Sequence, residues 1–145
     1  MKRRLKDGVK SLFAINGNAR EAIEFYENTF GAKNLGIMTY GDLPEDPGFS
    51  LPENTKDLIS HSALEIENSK IMIVDTFPGY PSQEGNVVII CITLNNKNKA
   101  SQIFEALGKE GQIEMPLSET GFSPAFGVVK DKFGVRFQIY TEVNE

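Results

Sequence analysis

Apolar and polar positions change period several times along the chain. Val9 to Ile15 is apolar and β-prone, and it ends at Asn16-Gly17-Asn18, a turn cluster that can also cap a helix. Ala22, Ile23, Tyr26 and Phe30 then recur at spacings of one, three and four, which predicts an amphipathic helix from Ala19 to about Phe30 with Gly31 as its stop. Ile37 to Tyr40 reads as a short strand. Gly41 to Lys56 collects Asp, Pro, Gly, Ser and Asn with little periodicity, as a long loop would. Leu58 to Ile66 and Lys70 to Asp75, divided by Asn68-Ser69, predict a hairpin.

Thr76 to Asn86, which holds Pro78-Gly79 and Pro81, reads as a connection between halves, and after it the same order begins again. Val87 to Leu94 predicts a strand, and the polar stretch Asn95 to Asn98 can cap. Ala100, Ile103, Phe104 and Leu107 form a helical stripe ending near Gly108 and Gly111. Gln112 to Met115 predicts a short strand before Pro116, and a loop covers Leu117 to Pro124. Phe126 to Lys130 and Val135 to Tyr140 close the half as a hairpin around Asp131-Lys132-Phe133-Gly134. Each half therefore runs strand, helix, strand, loop, hairpin. An offset of 80 also brings Asn18 onto Asn98, Ile23 onto Ile103 and Gly31 onto Gly111. The matching order predicts an α+β chain built from a duplicated βαβββ module, about 8–76 and 86–143, within one domain. Each module leaves one sheet face uncovered, so two are expected to pair, within or between chains, around a common cavity.

Composition narrows the chemistry. The 145 residues, 40% hydrophobic and 24% charged, suit one domain that needs no disulfide or metal staple to fold. A single histidine, His61, and a single cysteine, Cys91, exclude zinc-finger ligand sets, multi-histidine sites within one chain and intramolecular disulfides. Fifteen Lys and Arg against twenty Asp and Glu leave a net charge of −5, which argues against nucleic acid as a partner. The basic start has no adequate apolar stretch behind it, and no apolar run approaches the roughly 20 residues of a membrane span. A free cysteine without an export signal fits a reducing cytoplasm.

Several motifs together resemble a known family. They are Ile15-Asn16-Gly17-Asn18-Ala19, Glu21-Ala22-Ile23-Glu24-Phe25-Tyr26, Phe30-Gly31, Tyr40-Gly41-Asp42 and His61-Ser62-Ala63-Leu64 in the first half. In the second half they are Ile103 to Leu107, Met115-Pro116-Leu117, Glu119-Thr120, Phe126 to Val129 and Asp131 to Val135. Over nearly its whole length the chain resembles the PhnB-like branch of the vicinal oxygen chelate superfamily, the glyoxalase and bleomycin-resistance group. The resemblance implies paired βαβββ modules whose mixed sheets curl into a half-open cup, assembled as a homodimer. In members with known chemistry, His, Gln or Glu side chains on four strands hold a divalent metal, which takes adjacent substrate oxygens and stabilises the oxyanion formed there.

Carried over residue by residue, that pattern places the ligand positions at Ser11, near Ile89, at Gln138, and at Val74 or Met72. Asp75 is adjacent, but strand alternation turns it to the face opposite Val74. A serine, a glutamine and two apolar residues do not make a ligand shell for a divalent ion, so no metal and no other cofactor is expected. The expected function is binding of a small organic ligand in the cup. A metal-assisted lyase, isomerase or dioxygenase is the alternative, with His61, Gln138 and Asp75 as an unusual ligand set. Demethylubiquinone methyltransferase, a common label for this family, finds no glycine-rich nucleotide loop between a parallel strand and a helix.

Candidate pocket residues follow from strand alternation. Arg136, Gln138 and Tyr140 share one face, while Val135, Phe137 and Ile139 take the other and suit a helix. Arg136 near the strand start reads equally as solvent-facing. Ser11 and Phe13 share a face, lining the first module's wall or, for Phe13, the core. Phe122 and Phe126 flank Pro124 in a loop that reads either as a lid or as a core plug; family members often carry tryptophan at the position of Phe122. His61 reads as a base near neutral pH or as a strand-end histidine bonded to a loop. Cys91 reads as a small buried hydrophobe. Asp42, Glu45 and Asp46 lack the alternation of a calcium loop and read as solvated. The expected partner is a second copy, with module exchange through a hinge at Thr76 to Asn86.

Overall fold

The structure is a computed structural model, and it describes residues 8–44, 48 and 50–142. The chain divides between Ser82 and Gln83 into two units, each a βαβββ module. The first contains β1 (Ser11–Ile15), α1 (Ala19–Phe30), β2 (Lys33–Thr39), β3 (Ile59–Ile66) and β4 (Ser69–Asp75). The second contains β5 (Ile90–Leu94), α2 (Lys97–Gly108), β6 (Gln112–Ser118), β7 (Phe126–Lys130) and β8 (Arg136–Thr141). Each forms a four-stranded mixed sheet, in the orders β1-β4-β3-β2 and β5-β8-β7-β6. The first strand of each unit lies parallel to the last, and the other pairings are antiparallel. Among the described residues, no helix is long and apolar enough to cross a membrane.

One face of each sheet is covered by its helix, and the buried stripe has the same spacing in both. Ala19, Ala22, Ile23 and Tyr26 supply it in α1, and Ala100, Ile103, Phe104 and Leu107 in α2. The identities seen at the offset of 80 fall one residue out of step with this stripe. In the first unit the stripe meets Phe13, Ile15, Leu64, Ile71 and Ile73, all buried, with Phe13 edge-on to Tyr26 at 5.6 Å. In the second it meets Leu94, Val129, Phe137 and Ile139. Gly127 allows this close approach, because a Cβ there would stand 2.8 Å from the Phe104 ring and 3.0 Å from the Leu117 Cα.

Helix α1 starts and stops where its periodicity predicts, and Gly31 closes it in the left-handed region with φ of 65°. Several strands differ from expectation at their ends, three of them informatively. Strand β2 begins at Lys33 rather than Ile37, and Tyr40–Asp42 turns into a 3-10 helix. Strand β6 continues through Pro116 to Ser118; it is an edge strand, where a missing N–H costs no ladder bond. Strand β5 begins at Ile90, which pairs with Phe137 of β8, and Val87, Val88 and Ile89 before it are exposed. The tight turn of the first hairpin lies at Glu67-Asn68, one residue earlier than read, with Glu67 at φ 52°.

Each end of the connection is held by contacts within its own unit. The Asn16 carboxamide oxygen accepts from Thr76 Oγ1 at 3.1 Å, from the Ser82 N–H at 2.8 Å and from Ser82 Oγ at 3.1 Å. Its amide nitrogen donates to the Ser82 carbonyl. On the other side, Glu84 pairs with Lys130 at 3.3 Å, and Arg136 donates to the Gly85 carbonyl. Only Gln83 lies between these anchors.

Candidate functional site

The open face of the second sheet gathers most of the residues that sequence singles out. Strand β8 alternates in burial along its length, which puts Phe137, Ile139 and Thr141 under α2 and Arg136, Gln138 and Tyr140 on the uncovered side. Strand register then sets their neighbours. Gln138 lies between Cys91 and Val128, and Tyr140 between Thr93 and Phe126.

Phe122 joins them from the loop before β7. The Thr120 hydroxyl accepts from the Phe122 N–H at 3.3 Å and the Ser123 N–H at 3.0 Å, and the Thr120 N–H donates to the Ser123 carbonyl at 2.8 Å. Buried Ser123 ties this turn to the end of β8 by donating to the Thr141 carbonyl at 2.6 Å. The Phe122 ring is thereby held parallel to Tyr140, with centroids 6.2 Å apart and planes 8° apart, and edge-on to Phe126 at 5.1 Å. Despite these contacts it is 61% exposed. The three aromatics form a platform at one end of the open face, neither a core plug nor a free lid.

The charged end is self-neutralised. Arg136 Nε donates to Glu114 at 2.8 Å, its side chain only 15% exposed, and Lys130 is paired to Glu84. Glu114 is the extra residue of a bulge in β6, between the Ile113 and Met115 pairings, and the bulge brings its carboxylate to Arg136. Between the two ends stands Gln138, whose Nε2 lies 3.6 Å from Cys91 Sγ. Cys91 is exposed on this face, a correction to the buried thiol expected from its apolar neighbours. The apolar run misled because the strand's outer side has no helix to meet.

The first unit departs further from expectation. Ser11 and Phe13 share a face, the helix side, and of the two roles open to Phe13 it takes the core one, only 6% exposed. Leu12 and Ala14 take the open side, in register with Met72 and Val74. His61 is exposed on the open side of β3 opposite Met38, and among the described residues it has no hydrogen bond to a loop. Asp75 is 2% exposed on the other face, with one carboxylate oxygen accepting from the Ala19 N–H at 2.9 Å and the other from the Ile59 N–H at 2.9 Å. Its acceptors are committed to the start of α1 and the start of β3, so the His61, Gln138 and Asp75 set does not converge. Asp75 does the work expected of Asn18, whose side chain makes no capping bond.

On the four strands that carry the metal in the superfamily, the open-face side chains are Leu12 and Ala14 on β1, Lys70, Met72 and Val74 on β4, Cys91 and Thr93 on β5, and Arg136, Gln138 and Tyr140 on β8. Ile89 lies outside β5. No carboxylate or imidazole is among these side chains, so they do not fit a hard or borderline divalent ion. Among the described residues, no three His, Cys, Asp or Glu side chains are grouped to hold one.

Two titrating groups have clear structural causes. The Tyr40 hydroxyl, 3.1 Å from the Asp75 carbonyl oxygen, is pushed above its ordinary value of 10.0 by burial and then by the negative charge of Asp75. The Asp42 carboxyl is held below 3.8 by the bonds it accepts within a capping box with Thr39, chiefly that from the Thr39 N–H. Asp42 is therefore a turn-forming residue; Glu45 and Asp46 lie outside the described residues. Sequence reading missed Glu114, Thr93 and Ser123. Only the Thr120-x-x-Ser123 spacing, a side-chain-to-backbone turn pattern, carried a legible signal.

Known proteins resemble this chain in sequence or in fold. Protein YjdN of Escherichia coli (strain K12) is 31% identical over 133 residues, which cover 85% of this chain and 87% of that protein. The structure of protein PA1353 from Pseudomonas aeruginosa matches with a TM-score of 0.84 and 29% identity, covering 96% of this chain and 100% of that one. A PhnB protein from Bacillus cereus matches at 0.77 and 22% identity, over 93% of this chain and 99% of that one. The fosfomycin resistance protein FosX from Listeria monocytogenes shares the fold at 12% identity, with a TM-score of 0.63 over 96% of both chains. Residues 8–140 match the family described as 3-demethylubiquinone-9 3-methyltransferase. With two βαβββ units, these matches and the motifs that flank α1 and β7, the chain belongs to that family, the PhnB-like branch of the vicinal oxygen chelate superfamily.

Proposed function

We propose that this protein binds a small organic molecule on its open sheet faces and does so without a catalytic metal. The Phe122 platform carries the proposal. Full burial of a phenylalanine side chain is worth about 1.5–3 kcal/mol, and much of that is forgone by holding this ring 61% exposed in an ordered turn. A ligand that covers the ring would recover it. The absence of carboxylate and imidazole side chains from the open faces of β1, β4, β5 and β8, among the described residues, supports the metal-free part of the reading.

Methyl transfer, in the family's name, is not part of this reading. The N-terminus of α1, where a strand-turn-helix cofactor site would receive an anionic group, already accepts the Asp75 carboxylate. The reading includes a homodimer in the cytoplasm, which light scattering at working concentration and fractionation test.

Two measurements decide the main proposal. Elemental analysis of protein purified without chelator is expected to find far less than one divalent ion per chain; one tightly held ion per chain overturns the metal-free reading. Amide NMR spectra recorded with a library of small aromatic fragments are expected to shift at Phe122, Gln138 and Tyr140. Spectra unchanged at millimolar fragment overturn the binding reading.

A further inference from the structure

We infer that the open face of the second unit selects an uncharged planar aromatic ligand that carries an amide-like hydrogen-bonding edge, and that it discriminates against aromatic anions. This rests on the small-molecule reading above and names its ligand class. Three observations on one strand carry it.

Alternate residues of a strand lie about 6.6 Å apart, so the open side of β8 presents Arg136, Gln138 and Tyr140 as three successive stations. At the first station both cations are neutralised, Arg136 by Glu114 at 2.8 Å and Lys130 by Glu84 at 3.3 Å. An anion arriving there competes with carboxylates already in place and meets their repulsion. At the third station the Phe122 ring, braced by Tyr140 and Phe126, offers an exposed π-surface for stacking. At the middle station Gln138 Nε2 faces the Cys91 sulfur, a weak acceptor, and the carboxamide oxygen has no partner among the described residues. A primary amide whose oxygen and one N–H are free complements a group that both donates and accepts, such as a lactam. The stations are about 6.6 Å apart, close to the length of a fused bicycle, so its lactam edge reaches Gln138 while its other ring lies toward Phe122.

Two probes of equal size separate the contributions: 2-quinolone, a neutral bicyclic lactam, and 2-naphthoate, a bicyclic anion. Their affinities are read by amide NMR titration of the full chain. The expected result is that 2-quinolone binds at least about tenfold more tightly, with shifts at Phe122, Gln138 and Tyr140. Gln138→Leu is expected to lower 2-quinolone affinity about five- to tenfold and leave 2-naphthoate unchanged, whereas Phe122→Ala weakens both. Glu114→Gln frees the Arg136 charge and is expected to raise 2-naphthoate affinity about tenfold, a response that a merely greasy patch would not give. Equal or tighter binding of 2-naphthoate by the parent protein, or indifference of 2-quinolone to Gln138→Leu, overturns the ligand class while leaving the small-molecule reading intact. If neither probe shifts the face at millimolar concentration, both fall.

Discussion

Removing the Asp75 carboxylate tests whether it is a structural hub or a catalytic leftover. Its two oxygens each accept a buried backbone N–H at 2.9 Å, one from the first residue of α1 and one from the first residue of β3, and the group is 2% exposed. A hydrogen bond to a charged group contributes about 1.5–3 kcal/mol net, so the pair is worth about 3–6 kcal/mol, less the relief of no longer burying a charge. Asp75→Ala is therefore expected to cost about 3–4 kcal/mol. Asp75→Asn, which keeps one acceptor but points an NH₂ at the other N–H, should cost about half that. Asn18→Ala, although it alters the residue that sequence nominates as cap, should change stability by less than about 0.5 kcal/mol, because no capping bond is lost. Asn96→Ala, which removes a real cap bond to the Lys99 N–H at 3.0 Å, should cost about 1 kcal/mol. Urea unfolding followed by circular dichroism ranks the four variants. Hydrogen exchange at the Ala19 and Ile59 amides reports the two bonds directly. The reasoning is refuted if Asp75→Asn is as stable as the parent, or if Asp75→Ala costs no more than Asn18→Ala. A metal ligand at Asp75 would instead make the loss depend on added divalent ion.

Further outcomes follow from other contacts. Asn16→Ala removes the acceptor that gathers Thr76 and Ser82, and limited proteolysis is expected to cut faster near Gln83 with little change in either sheet's hydrogen exchange. Tyr40, with its hydroxyl pushed above 10.0, favours its neutral form in the folded state. Its contribution is therefore complete below pH 10 and lost as pH rises through the folded value; a near-ultraviolet absorbance titration should lose its late-ionising phenol in Tyr40→Phe. Asp42 works in the opposite direction: its turn contributes above the ordinary carboxylate value of 3.8 and is lost as pH falls through the lowered folded value. Gly127→Ala sets a methyl against Phe104 and the backbone of β6 and should cost about 1–3 kcal/mol by thermal unfolding.

Legibility in the sequence followed contrast between neighbouring positions. Strand β8 alternates charged or polar with apolar side chains, so both its faces and their roles could be read from Arg136 to Tyr140. Strand β1, Ser11-Leu12-Phe13-Ala14-Ile15, lacks that contrast. Period two shows that Ser11 and Phe13 share a side, but it does not say that the helix lies on that side. Residues Val87 to Ile89 read as strand because they are β-branched, yet pairing with β8 begins only at Ile90, which local pattern does not show.

The sequence by itself determined the element order, the duplication, the helix ends and the scarcity of metal-binding side chains, because these rest on local periodicity, turn chemistry and composition. The tertiary structure alone decided that Asp75 caps α1 across 56 residues of chain, that Glu114 neutralises Arg136 and that Phe122 stands stacked and exposed over Tyr140. Those contacts join residues far apart in sequence, and strand register, a bulge and a braced turn bring them together, none of which local pattern encodes.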